Sequence, residues 1–122
     1  MVKKSKDYDF SLLKDLINSY CISGDEADVR NLIIKHIKPY CKDYWIDKMG
    51  NLIVYKKGVR PKVMLAAHMD EIGLMIKKID GSGRIYCSEI GSFEIMTLIG
   101  QRVYIKTKKG DIMGVITTNE IS

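Results

Sequence analysis

The sequence predicts an α/β fold that runs on into antiparallel β-structure, and three features of its patterning predict it. Apolar residues recur at helical spacing through the first third of the chain. A hairpin and a continuous apolar run follow. Beyond Asp70, short β-rich segments alternate with glycine-containing turns.

Each element has its own signal. From Ser11 to Tyr20, the residues Leu12, Leu13, Leu16 and Ile17 have helical spacing, and Asp9 or Ser11 is placed to cap the start. The segment Cys21-Ile22-Ser23-Gly24-Asp25-Glu26 breaks that period. Ser23 followed three residues later by Glu26 is a capping-box pattern and predicts a second helix. That helix carries Val29, Leu32, Ile33, His36 and Ile37 on one stripe, and Pro39 sits where it ends. His36 on such a stripe reads as a packed or half-exposed helix residue rather than a ligand.

The period then changes. Tyr44–Asp47 and Asn51–Tyr55 are strand-like, with Lys48-Met49-Gly50 as the turn between them. Gly58 to Pro61 is a loop. Val63-Met64-Leu65-Ala66-Ala67 is an uninterrupted apolar run, which suits a strand buried on both faces of a sheet. Ile72–Ile79, Arg84–Ile90, Gln101–Thr107 and Asp111–Thr117 follow as short strands. Asp80-Gly81-Ser82-Gly83, Gly91-Ser92 and Lys108-Lys109-Gly110 separate them as turns. This half is expected to be an antiparallel module of barrel or sandwich type. Thr118 to Ser122 carry no stop signal for it, so the module is expected to be unfinished.

Composition removes several classes. No run approaches a membrane-spanning length, and no signal-peptide pattern opens the chain, so a cytoplasmic protein without membrane attachment is expected. Cys21, Cys41 and Cys87 are odd in number and widely spaced, which reads as reduced structural thiols rather than a disulfide framework or zinc knuckle. The net charge of +5 raises nucleic-acid binding. However, the lysines are scattered and no aromatics are interleaved with them to stack bases. Solvated faces and protected strand edges account for them better, and no nucleic-acid partner is expected.

The chemically informative stretch is Ala67-His68-Met69-Asp70-Glu71-Ile72-Gly73. Strand alternation brings His68 and Asp70 out on one side, at the carboxyl end of a strand where α/β sheets bind ligands. An imidazole there can ligate zinc or cobalt, and a carboxylate two residues on can orient it. The spacing alone suits a strand-end histidine hydrogen-bonded to a nearby aspartate better than it suits a ligand.

The string from Ala67 to Met75 resembles the first metal motif of the M42 aminopeptidases, a group also labelled cellulase M or endoglucanase. Other stretches resemble that family in the same order: Ile22 to Glu26 with Val29-Arg30, Asp47 to Leu52, Ile90-Gly91, Leu98 to Val103, and Gly114 to Ile116. The resemblance implies that residues 1–70 begin a zinc-aminopeptidase-like α/β catalytic domain. It implies that residues 71–122 begin an inserted antiparallel β domain of the kind that mediates oligomerisation.

It further implies His68 as a ligand of one ion in a two-metal zinc or cobalt site, and Asp70 as the catalytic carboxylate that orients a site group. The family's other ligands and its general-base glutamate would fall beyond this chain. Glu71 belongs, by the same resemblance, to the connection into the inserted domain. Ser92 and Phe93 stand where the family usually has a glycine and a tryptophan. Expected partners are a peptide substrate in the complete enzyme, and either further copies of the chain or a full-length relative. Glycoside hydrolysis is disfavoured because no facing carboxylate pair stands out. A truncated relative serving as an assembly module is the alternative to a catalytic fragment.

Overall fold

The computed structural model describes residues 10–118. The proposed cap Asp9 and residues 119–122 of the terminus lie outside them. The chain divides into two compact units, one running through Gly91 and the other starting at Ser92.

In the first unit, α1 (Ser11–Ile17) and α2 (Ala27–Ile37) precede the strands β1 (Tyr44–Ile46), β2 (Leu52–Val54), β3 (Gly73–Ile79) and β4 (Ile85–Ile90). The expected helical stripe does form α1. Its N-cap position is Phe10, whose carbonyl accepts from the Lys14 amide at 2.9 Å, so Ser11 lies inside the helix and does not cap it. Val29 on α2 (3% exposed) and Cys21 in the link before it (6%) are the buried apolar residues among those described.

The capping box expected at Ser23 does not form. Helix α2 starts only at Ala27, with Glu26 at its N-cap and no side-chain cap bond. The Glu26 carboxylate accepts from the Gly24 amide at 2.6 Å. The Ser23 hydroxyl donates instead to Asp70 Oδ2. An ionised acceptor makes the stronger hydrogen bond, and α2 begins too late for Ser23 to reach its free amides.

All three hairpins close with one device. In β1–β2, Gly50 (φ 88°) donates to the Asp47 carbonyl while the Asp47 carboxylate accepts from the amides of Met49 and Asn51, both at 2.9 Å. In β3–β4, Gly83 (φ 83°) donates to the Asp80 carbonyl, and the Asp80 carboxylate takes the amides of Ser82 and Arg84. In the second unit, Thr107 replaces the aspartate: its hydroxyl accepts from the Lys109 amide, and Gly110 (φ 118°) donates to its carbonyl. A polar side chain thus folds a tight turn, and a glycine then takes the left-handed residue that follows.

Each of the three hairpins pairs antiparallel, with Tyr44 opposite Val54, Gly73 opposite Ile90, and Arg102 opposite Val115. Lys77 forms a bulge between Ile76 and Lys78 of β3. The second unit holds a short 3₁₀ turn (Ile95–Leu98), β5 (Arg102–Ile105) and β6 (Ile112–Val115). Gly91-Ser92 leads into that 3₁₀ turn and joins no pair of bonded strands.

Val63–Ala67 does not form the strand expected, nor is it buried. No described strand includes it, and Val63, Met64 and Leu65 are 80%, 88% and 93% exposed. A central strand needs a bonded neighbour on each edge. Here β1–β6 are all engaged in two-stranded sheets, which leaves this run without one among the described residues.

Candidate functional site

The His68–Asp70 segment follows that exposed run and is held from the side by the link between α1 and α2. The Glu71 amide donates to the Cys21 carbonyl at 2.8 Å, and Ile22 and Glu71 form a single parallel bridge. The Cys21 thiol donates to the Met69 carbonyl at 3.0 Å and lies 3.3 Å from the Ser19 carbonyl. Burial first, then the carboxylates of Glu71, Asp70 and Glu26, push this thiol's pKa up, which keeps the proton it donates. Gly73 completes the contact. A Cβ built on it would lie 2.2 Å from Ile22 Cγ2, so the lack of a side chain at this position makes room for the Ile22 side chain.

His68 and Asp70, proposed from sequence, are brought together. His68 Nδ1 lies 3.0 Å from the Asp70 carbonyl oxygen and 3.3 Å from Asp70 Oδ1. Both partners are acceptors, so in the neutral imidazole Nδ1 carries the proton and Nε2 keeps its lone pair. The imidazole is 86% exposed and the Asp70 side chain 35% exposed, so Nε2 is open to a ligand. The Ser23 hydroxyl donates to the other carboxylate oxygen of Asp70. That hydrogen bond is the main cause of a lowered Asp70 pKa, with Asp70's own backbone amide and His68 adding to it.

A cleft of about 130 Å³ lies beside these residues, lined by Glu26, Met49, Gly50 and Asn51 together with Ala67 to Asp70. The hairpin turn that forms part of its lining is fixed by Arg30, whose Nη1 donates to the Gly50 carbonyl at 2.7 Å. Glu71 points its carboxylate toward the Cys21 amide, at 3.5 Å, and so belongs to the clamp on the segment.

His68 with an orienting carboxylate behind it fits a single metal ligand. Among the described residues, however, no three of His, Cys, Asp and Glu gather as a metal site would require. His36 is half-buried on α2, as its place on the stripe predicted. Ser23, Cys21 and Arg30 were not foreseen as parts of this region. For Ser23 the available signal pointed to a helix cap.

Comparison with known proteins agrees with this arrangement of elements. The family model described as M42 glutamyl aminopeptidase matches residues 50–121, and the chain belongs to that family. It is 42% identical over 109 residues to a lysyl aminopeptidase of Pyrococcus furiosus, an alignment covering 88% of this chain and 32% of that protein. Among solved structures, it resembles the Pyrococcus horikoshii TET1 peptidase with a TM-score of 0.80 at 37% identity, over 88% of this chain and 32% of the other. That peptidase is described as assembling into a tetrahedron or a large octahedral shell. A TET aminopeptidase from a marine-sediment thaumarchaeon gives a TM-score of 0.82 at 30% identity, over 89% and 31% of the two chains. The chain therefore spans about a third of the length of the relatives it matches.

Proposed function

We propose that this chain is the N-terminal part of a two-metal aminopeptidase that removes N-terminal residues from peptides. In this reading His68 ligates one zinc or cobalt ion through Nε2, and Asp70 holds the imidazole in the tautomer that leaves Nε2 free. The observation that carries it is the pairing of His68 Nδ1 with Asp70, beside an open cleft, within the stretch that the family model matches. Divalent ions bound there would acidify a water and polarise the scissile carbonyl. This chain contributes the ligand, its orientation and one wall of the cleft. A single imidazole cannot hold two ions, so the isolated chain is proposed to bind metal weakly and to be inactive.

The test is calorimetric titration of zinc and cobalt into the purified chain and its His68→Ala variant, with hydrolysis of aminoacyl p-nitroanilides assayed alongside. Weak binding that disappears in the variant, without turnover, is the expected result. Binding of equal strength in both proteins would remove His68 as a ligand. Turnover by the chain freed of contaminating peptidase would overturn its proposed inactivity.

A second reading is a non-catalytic assembly module, pairing with its own copies or with a full-length relative. The exposed run Val63–Leu65 favours it, since an apolar extended segment with free edges is a natural place for another chain to add. The three free thiols Cys21, Cys41 and Cys87 are in keeping with a cytoplasmic setting in either case.

A further inference from the structure

We propose that Ser23 is a positioning residue for the ligand histidine, acting through Asp70. This deepens the aminopeptidase reading and rests on it, because it concerns how the proposed ligand is held. The carboxylate of Asp70 is divided between two partners: Oδ2 accepts from the Ser23 hydroxyl, and Oδ1 faces His68 Nδ1 at 3.3 Å, beside the Asp70 carbonyl oxygen that lies 3.0 Å from the same nitrogen. A carboxylate on a flexible, partly exposed side chain can rotate about its final bonds. Anchoring one oxygen sets the plane of the other, and so the direction from which Asp70 meets the imidazole.

The anchor is itself firmly placed. Ser23 follows two residues bound to the same segment: Cys21 through its thiol and carbonyl, and Ile22 through its bridge to Glu71 and its close packing on Gly73. The hydroxyl is therefore delivered to Asp70 by a clamp that does not depend on Asp70 or His68. Because the capping box is absent, no helix amide competes for Ser23. The order of action is clamp, hydroxyl, carboxylate, imidazole, with His68 Nε2 as the atom whose availability is controlled.

The test reads the imidazole directly, without metal. Long-range proton–nitrogen correlation spectra of the chain are recorded above the histidine titration range, for wild type, Ser23→Ala and Ser23→Thr. Wild type is expected to hold His68 chiefly as the Nδ1–H tautomer. Ser23→Ala is expected to move part of the population toward the Nε2–H form, the Asp70 carbonyl at 3.0 Å still favouring Nδ1–H, and Ser23→Thr to restore it, while the Glu71 amide stays protected from exchange in all three. Cobalt affinity is expected to fall about tenfold in Ser23→Ala, as when a group behind a ligand is removed.

An unchanged His68 tautomer in a folded Ser23→Ala protein, or failure of threonine to restore it, overturns the proposal. If Ser23→Ala does not fold, wild type decides. A slowly exchanging Ser23 hydroxyl proton coupled to the Asp70 carboxylate upholds the proposal, and a freely exchanging one overturns it. A chain that binds metal equally with and without His68 yet shows the tautomer shift would remove His68 as a ligand and leave the Ser23–Asp70–His68 relay standing.

Discussion

The hydroxyl of Ser23 donates to a carboxylate oxygen of Asp70, 47 positions further along the chain. This bond joins the link between the two helices to the segment bearing His68. Around it lie three other contacts of the same clamp: Cys21 to Met69, Cys21 to Glu71, and Ile22 to Gly73.

The tightest of these predicts the effect of adding a single methyl group. Gly73→Ala would place Cβ 2.2 Å from Ile22 Cγ2, which is relieved only by turning the Ile22 side chain off its present rotamer or by opening the bridge. A loss of about 1–3 kcal/mol is expected, the usual cost of overpacking. Ile22→Ala in the same background should recover part of it. Urea denaturation of the single and double variants measures the coupling, and additive losses would show that the two residues do not meet.

Asp47 and Asp80 predict an acid-labile pair of hairpins. The Asp47 pKa is lowered chiefly by the Asn51 side chain, and the Asp80 pKa by the Ser82 hydroxyl and then the Arg84 amide. A carboxylate whose native pKa lies below its unfolded one contributes stability above the unfolded value. That contribution fades as pH falls through the interval between the two, and is gone below the native value. Amide protection at Asn51 and Arg84, taken relative to the intrinsic exchange rate at each pH, should therefore fall under acid by more than at Lys109. The Lys109 turn uses Thr107, which does not titrate in that range. An equal loss of protection at all three turns would contradict this.

Thiol labelling should rank the cysteines. Cys21 is buried, its pKa is raised, and its proton is engaged with the Met69 carbonyl. Because the thiolate is the reactive form, Cys21 should be the last of the three to react with a maleimide near neutral pH, and it should catch up in denaturant. Mass spectrometry of peptides from partly labelled protein reads the order. Cys21 reacting ahead of the exposed Cys87 would mean that the clamp opens readily.

The run Val63–Leu65 predicts a surface variant with little effect on folding. Met64→Lys and Leu65→Lys replace side chains that are 88% and 93% exposed, so each should change stability by no more than about 0.5 kcal/mol. If the run is a contact between chains, both variants should shift sedimentation toward monomer at high protein concentration. Unchanged sedimentation would place any association elsewhere.

The sequence by itself determined the local elements and the meeting of His68 with Asp70. Helical spacing at Leu12 to Ile17 and at Val29 to Ile37, and the turns at Lys48-Met49-Gly50 and Asp80-Gly81-Ser82-Gly83, depend on neighbours a few positions apart, and they fold as their patterns predict. His68 and Asp70 are two residues apart and meet for the same reason. Tertiary structure alone decided where Ser23 spends its hydroxyl and whether Val63–Ala67 is covered. Both depend on groups distant in sequence: an ionised acceptor 47 residues on in one case, and strands to bond along each edge in the other. A capping pattern states what a serine can do for the next helix, but not that a stronger acceptor is brought within reach. An apolar run states that burial is favourable, and the partners that provide it have to come from elsewhere in the fold.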